Sequence, residues 1–379
     1  MRTNAFRNWI FKLHRTLGLV IGLVAIVVGL TGSALVFQHE MNDFLMHHQV
    51  GRIVPTGDRL DPDTVLERVK ANYAAQPEVK FERVYLPAQL TDPYKVAFTS
   101  PTNGWSEIIV HPYTGAILKS QPWDTSFFGI VYRLHYALLF DQIGTTIVGV
   151  IALLMCILTI TGIVLWPGWR KLLAGFKIKW AAHPKRISFD LHKVTGILAA
   201  VFLFLAFFTG FCWNFYDFTK PLIYAATLTP VPKDPVSQVV VGKAPIKLHE
   251  VLKRADAALP GTSTVSILLP EKPEGAFTVR KRFPGEVEHW GRSEVAIDQY
   301  SGAVLQVSDK HKLALGDAVM DAFAPLHYGT FGGLPTRIFY VFVGLAPLIL
   351  GITGFVMWWY RWRRKKGDRI HQRTLLQSR

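Results

Sequence analysis

Four histidines stand in closely matched settings: His14 in "FKLHRTLG", His192 in "FDLHKVTG", His135 in "RLHYALLF" and His327 in "PLHYGTFG". A neutral imidazole binds a transition metal through one ring nitrogen, and two facing imidazoles can hold one metal from opposite sides. His14 and His192 are 178 residues apart, as are Thr31-Gly32 and Thr209-Gly210 farther along the same segments. His135 and His327 are 192 apart, as are Thr161-Gly162 and Thr353-Gly354. Constant offsets across whole segments read as an internal duplication with one insertion difference between its halves.

The elements that must position these histidines are four blocks, Thr16–Phe37, Ile143–Trp166, Val194–Tyr216 and Ile338–Tyr360, which contain no Asp, Glu, Lys or Arg. Each exceeds the ~20 residues needed to cross a ~30 Å hydrocarbon core. In lipid such a segment must be helical, so that its backbone groups satisfy one another. The first block is longer than the ~7–15 apolar residues of a signal peptide and reads as a retained span. Arg2, Arg7, Lys12 and Arg15 precede the first span, a basic loop including Arg170, Lys171, Lys177, Lys179, Lys185 and Arg186 joins the second to the third, and "RWRRKKGDR" follows the fourth. Positive-inside placement puts both termini in the cytoplasm and the two long connections outside. The +15 net charge, 42 basic against 27 acidic residues, is then a topology signal with some attraction to anionic lipid. Nothing in it calls for nucleic acid.

The expected architecture is an α-helical membrane protein with two external α+β domains. Its divisions are a first spanning helix (1–40), an external domain (41–126), a surface segment and second span (127–166), a basic cytoplasmic loop (167–188), a third span (189–216), a second external domain (217–322), a surface segment and fourth span (323–360) and a basic tail (361–379). Asp61 to Tyr73 and Ile246 to Leu259 have the periodicity of amphipathic helices. The stretches "ERVYLP" and "VSILLP" alternate as strands, and "EIIVHPYTGAILKS" and "SEVAIDQYSGAVLQV" read as closing hairpins. Each domain is long enough for a modest core of its own. Cys156 and Cys212 lie within spans, so neither a disulfide framework nor a C-x-x-C metal site is available.

Because each half reads span, domain, span, the halves run in the same direction and are related by an axis along the membrane normal. Equivalent histidines then face each other at one depth: His14 with His192 near the cytoplasmic side, and His135 with His327 near the outside, on short re-entrant or surface segments capping the bundle. Paired imidazoles on helices are what axial ligation of a b-type haem requires, and the absence of C-x-x-C-H makes any such haem non-covalent. A flat macrocycle also needs space. His14, Gly18, Gly22, Ala25, Gly29 and Gly32 fall within about 80° of one another on a helix, and His192, Gly196, Ala199, Ala206 and Gly210 form a similar stripe. Such stripes serve a cofactor or close helix packing equally well.

Arg15, Lys193 and Arg133 adjoin the histidines and suit haem propionates, although basic residues at helix ends also snorkel. His39 follows His14 by 25 residues on the same face and is an alternative external ligand; its counterpart is Asp217. Met46, His47 and His48 read as a solvated turn, and His183 and His371 carry no assignment. Trp105, Trp123 and Trp290 read as interfacial or core tryptophans. Phe204, Phe208 and Trp213 lie between the two levels of histidine.

The strings "LHRTLGLVIGLVAIVVGLTGSALVF" and "LHYGTFGGLPTRIFYVFVGLAPLILGITGFVMWW" resemble the paired signatures of PepSY-associated transmembrane proteins, and the Tyr-Thr/Ser-Gly hairpins resemble PepSY domains. Within that family the architecture is similar to the ferric-siderophore reductases of the ferrioxamine type. The resemblance implies four helices, two b haems held by His14, His135, His192 and His327, and electron delivery to a ferric siderophore in the periplasm. In that role His135 and His327 are the residues on the reducing side. No nicotinamide or flavin signature is present, so the donor is external: a cytoplasmic reductase or membrane quinol. Competing expectations are a non-enzymatic membrane module that binds a peptide or protein, and a transporter of a metal or its chelate.

Overall fold

Four long uncharged stretches become helices because lipid offers their backbone groups no other partner. The computed structural model describes residues 2–377, with side chains for 5–364. Arg2, His371 and the basic tail beyond Arg364 lie outside the described side chains. In chain order the elements are α1 (Arg2–Leu35), α2 (Gln38–Val50), α3 (Pro62–Asn72), β1 (Lys80–Tyr85), β2 (Tyr94–Ser100), β3 (Gly104–Val110), β4 (Ile117–Pro122), α4 (Phe127–Ala137), α5 (Asp141–Leu165), α6 (Leu172–Phe176), α7 (Pro184–Asn214), α8 (Tyr216–Ala226), α9 (Leu248–Ala258), β5 (Ser263–Leu268), β6 (Ala276–Arg282), β7 (Ser293–Asp298), β8 (Val304–Ser308), α10 (Leu315–Tyr328) and α11 (Leu334–Gln377). They divide into two compact units, one of which is Phe37–Ile130 with Lys220–Pro325.

The other unit is a helical bundle. Ala5–Leu35, Asp141–Trp169, Pro184–Asn214 and Leu334–Arg364 are long and apolar enough to cross a membrane. Around the ring α1 packs on α5 and α11, and α7 packs on the same two. Ile21, Ala25, Met155, Leu203, Phe207 and Val343 meet in its core. The small-residue stripe of α1 divides its labour. A Cβ at Gly29 would fall 2.5 Å from the Gly344 carbonyl oxygen, so this glycine serves close packing against α11. At Gly22 nothing lies within 4 Å, which leaves open space there.

No acidic residue interrupts the uncharged blocks, but α7 starts before its block and includes Asp190, with 0% exposure. A buried carboxylate must be paired. Asp190 accepts from Lys179 N and Arg186 Nε at 3.2 and 3.0 Å and pairs with Lys193 Nζ at 2.7 Å.

The second unit repeats one order of elements, α3-β1-β2-β3-β4 and α9-β5-β6-β7-β8. Its strands form a single eight-stranded antiparallel sheet in the order β4-β3-β2-β1-β5-β6-β7-β8. The joint is β1 against β5, with Val84 opposite Ile267. Two domains with separate cores were expected; instead Val65, Val69, Val84 and Ile108 share one core with Val251, Ile267, Val279 and Ile297. The physical reason is edge pairing, since β1 and β5 would otherwise each expose unpaired backbone groups. Asp61 caps α3 through Thr64 N at 2.9 Å, and Asp63 caps α9 through Leu248 N and His249 N. The "FLMHHQ" stretch, expected as a turn, lies within α2.

Both closing hairpins turn on a glycine in the left-handed region, Gly115 at φ 69° and Gly302 at φ 74°. An acceptor holds each turn. In the first, His111 Nδ1 accepts from Tyr113 N and Thr114 N at 3.3 and 3.2 Å. In the second, the Asp298 carboxylate accepts from Gln238 N, Tyr300 N and Ser301 N at 2.8, 2.9 and 2.7 Å. Burial alone would raise the pKa of Asp298, but these donors outweigh it and pull it down to about 2. A depressed carboxylate contributes stability above its ordinary pKa near 4, and that contribution is lost as pH falls through its folded value. Asp298→Ala is therefore expected to lower stability at neutral pH by about 2–4 kcal/mol, through stranded backbone donors. Urea titrations of the detergent-solubilised protein at several pH values should show the difference from wild type shrinking as acid approaches pH 2.

Candidate functional site

A histidine becomes a directional ligand when one ring nitrogen is tied down and the other is bare. His14 on α1 faces His192 on α7 with ring centroids 6.2 Å apart and planes at 81°. His135, from α4, faces His327, from α10, at 6.1 Å and 76°. A metal about 2 Å from each of two opposed imidazole nitrogens puts the centroids roughly 6 Å apart once the ring radii are added.

The Thr-Gly steps explain the orientation. His14 Nδ1 lies 3.1 Å from the Leu158 carbonyl and 3.0 Å from Thr161 Oγ1. His135 Nδ1 lies 2.9 Å from the Val28 carbonyl and 3.1 Å from Thr31 Oγ1. His192 Nδ1 meets Thr353 Oγ1 at 2.9 Å, and His327 Nδ1 meets Thr209 Oγ1 at 2.8 Å. Each threonine hydroxyl has one proton, and each donates it to a carbonyl of its own helix: Thr31 to Val27, Thr161 to Leu158, Thr209 to Leu205 and Thr353 to Ile349. The hydroxyl oxygen can then only accept from the histidine. The network therefore assigns the proton of all four imidazoles to Nδ1 and leaves Nε2 bare.

The glycine after each threonine clears the ring. A Cβ would lie 2.9 Å from His135 Cε1 at Gly32 and 3.2 Å from His14 Cε1 at Gly162. At Gly210 and Gly354 the corresponding distances to His327 and His192 are 3.5 Å, ordinary contact. Sequence reasoning found the Thr-Gly pairs as repeat markers without giving them this role. The available signal was that each Thr-Gly step repeats at the same offset, 178 or 192 residues, as the histidine on its own segment.

The two pairs sit at different levels of the bundle. Thr31, which anchors His135, is 17 residues beyond His14 on the same helix, roughly 25 Å along its axis. The second pair lies on the short helices α4 and α10 that precede the second and fourth spans, and it reaches Val28, Thr31 and Thr209 because its Nδ1–H groups need the acceptors those helices supply. Trp213 lies against His327 with centroids 4.8 Å apart.

The first pair opens on a cavity of about 510 Å³, lined by His14, His192, Gly18, Gly22 and Gly196 among others. That volume lies within the ~300–1,000 Å³ range of small-molecule and cofactor sites. All four histidines are half-buried, so every pair retains accessible ring surface. The other half of the stripe question is thus answered for these glycines, which border space.

Of the expected cationic partners, only Arg15 lines the cavity without an ion pair to an acid among the described contacts. Lys193 also borders it but is held by Asp190 and donates to the Ala174 carbonyl at 2.9 Å, because the buried carboxylate requires a counter-charge. Arg133 is paired with Asp141 at 2.9 Å. His39 does not join the histidines of the bundle. It stacks on His289 at 3.4 Å, with Nε2 3.1 Å from Asp43 Oδ2. The sequence reading also missed Arg7 and Arg361, both of which line the cavity.

Nitrogen-15 NMR of histidine-labelled, metal-free protein should find all four bundle histidines protonated on Nδ1; an Nε2–H majority would contradict the anchoring. Gly32→Ala is expected to shift the signals of His135 and His327 and leave those of His14 and His192 in place.

A comparison with curated proteins gave no match. The model of the PepSY-associated TM region matches residues 11–361, a stretch that includes all four histidines and all four Thr-Gly steps. The chain is a multi-pass membrane protein and belongs to the PepSY-associated TM region family.

Proposed function

We propose that this chain is a di-haem b reductase of the bacterial inner membrane, arisen by internal duplication, that carries electrons outward to a ferric siderophore. The observation that carries the reading is a pair of facing imidazoles at each of two levels, with ring centroids about 6 Å apart, a spacing that suits one metal held between them. Among the described residues no three His, Cys, Asp or Glu side chains converge on a point. A metal held at either pair therefore needs its other ligands from its own complex, as in a porphyrin. The first cavity and its glycine walls fit such a planar group.

Haem would supply a one-electron couple at each level. The chain's own residues bind and tune it. His14 with His192, and His135 with His327, would hold the iron of one haem at each level. The Nδ1–H bonds to Thr161, Thr353, Thr31 and Thr209 hold the rings in place and raise the basicity of the ligating nitrogen. The apolar core between the levels, including Met155, Leu203 and Phe207, excludes water. The substrate is a ferric chelate: one electron converts Fe(III), held by hard oxygen donors, to Fe(II), which those donors retain poorly. Electrons come from a cytoplasmic reductase or quinol. The basic flanks argue for cytoplasmic termini and a periplasmic sheet unit.

The test is a reduced-minus-oxidised spectrum of detergent-purified protein with haem counted per chain. Two b haems are expected, and the near-perpendicular ring planes predict a highly anisotropic, large-g low-spin EPR signal from each. Replacing both His14 and His192 with Ala should remove about half the haem, and replacing His135 or His327 should abolish ferric-trihydroxamate reduction. A chain without haem, made under haem-replete conditions, would sink the reading and turn attention to the sheet unit as a binding module.

A further inference from the structure

The first cavity has a chemically distinct edge. Trp166 is 6% exposed, lines the cavity, and its indole Nε1–H has no hydrogen-bond partner. A buried donor without an acceptor costs about 1–3 kcal/mol, so something must keep the ring where it is. The clamp is visible: Cβ atoms at Gly168 and Gly175 would collide with the ring at 2.2 and 2.5 Å, and Trp169 and Phe176 pack edge-on against it at 5.4 and 5.3 Å. By the 192-residue offset its counterpart is Trp358, which lines the same cavity but is only half-buried.

Cations gather beside this donor. Arg7 Nη2 donates to the Leu165 carbonyl at 2.9 Å, which sets its guanidinium next to the Trp166 backbone. One turn on, Phe11 carries Arg15 and Arg361 over its ring at 5.8 and 4.8 Å. Arg7, Arg15 and Arg361 all line the cavity, and no Asp or Glu is among its described lining residues. Lys193 is already matched by Asp190. One edge therefore offers three cations, set beside the clamped Trp166 ring, to a ligand that brings anionic oxygens.

We propose that this edge binds the carboxylates of the molecule held between His14 and His192, with the guanidinium groups of Arg7, Arg15 and Arg361 as partners. The inference rests on the haem reading and adds the direction in which the macrocycle lies: its two propionates turn to Trp166, its apolar edge to Gly22 and Ala25. An anionic lipid headgroup shares the same chemistry, and the experiment separates the two.

The probes are haem b and its dimethyl ester, titrated into haem-depleted protein carrying His135→Ala and His327→Ala, which retains only the first pair. Absorption spectra report occupancy. Haem is expected to bind at least tenfold more tightly than the ester, and Arg15→Gln or Arg361→Gln should remove much of that preference while the bis-histidine spectrum persists. Equal binding of acid and ester would overturn the inference while leaving the haem reading intact, and would leave the edge free for a lipid headgroup. Retention of the full preference in both Arg15→Gln and Arg361→Gln would also overturn it. Binding of neither compound would overturn the haem reading and this inference together. The comparison of acid with ester needs neither single variant, so misfolding of either leaves the test standing.

Discussion

Everything at the candidate site depends on where one proton goes. A threonine hydroxyl that gives its proton to its own helix can only accept from the imidazole it faces, and that forces the histidine to donate from Nδ1. Nε2 is then bare. Without this bond a half-buried imidazole could rotate or take the other tautomer, and opposed rings would have no reason to stand about 6 Å apart. The interaction occurs at four places, each joining a histidine to a helix other than its own.

The helix supplies the geometry at little cost. Side chains three and four positions apart share a face, so Thr31 stands beside the carbonyl of Val28, and Thr161 beside that of Leu158. A histidine reaching that face meets two acceptors at once. The following residue occupies the remaining approach, and at Gly32 and Gly162 any side chain would press on the ring. Thr-Gly is thus a compact receptor for an imidazole edge. It also gives α1 and α7 two duties each: they carry the ligands of one level and the anchors of the other.

Much of this was legible in the sequence, and the limits have physical causes. The four spans follow from lipid's demand for satisfied backbone groups, and the pairing of His14 with His192 and His135 with His327 follows from constant offsets. The helices α3 and α9 and both closing hairpins were readable from periodicity and turn chemistry. The fusion of two sheets into one was not, because edge pairing between β1 and β5 leaves no local signature. Nor could sequence place Lys193: its partner Asp190 is one turn away on the same helix, but whether both are buried depends on how α6 and the loop before α7 fold back. His39 shows the same limit, since its neighbour His289 is 250 positions distant.

The repeat is most informative where it fails. A pair of equivalent histidines related by an axis cannot by itself orient a molecule with two different edges, since both faces of the site look alike. In the first half the positions answering Asp190 and Lys193 are Lys12 and Arg15. The second half thus neutralises its cation internally, and the first does not. This makes one edge of the cavity cationic while the walls remain glycine and alkyl. Symmetry sets the ligands, and its breaking sets the direction. On the proposed reading the charged edge stays at the level of Arg7 and Arg15, and an apolar slab separates it from the second pair. Electrons can cross such a slab by tunnelling, whereas ions meet a desolvation cost of several kcal/mol or more. That contrast is the physical distinction between a conduit for electrons and a transporter.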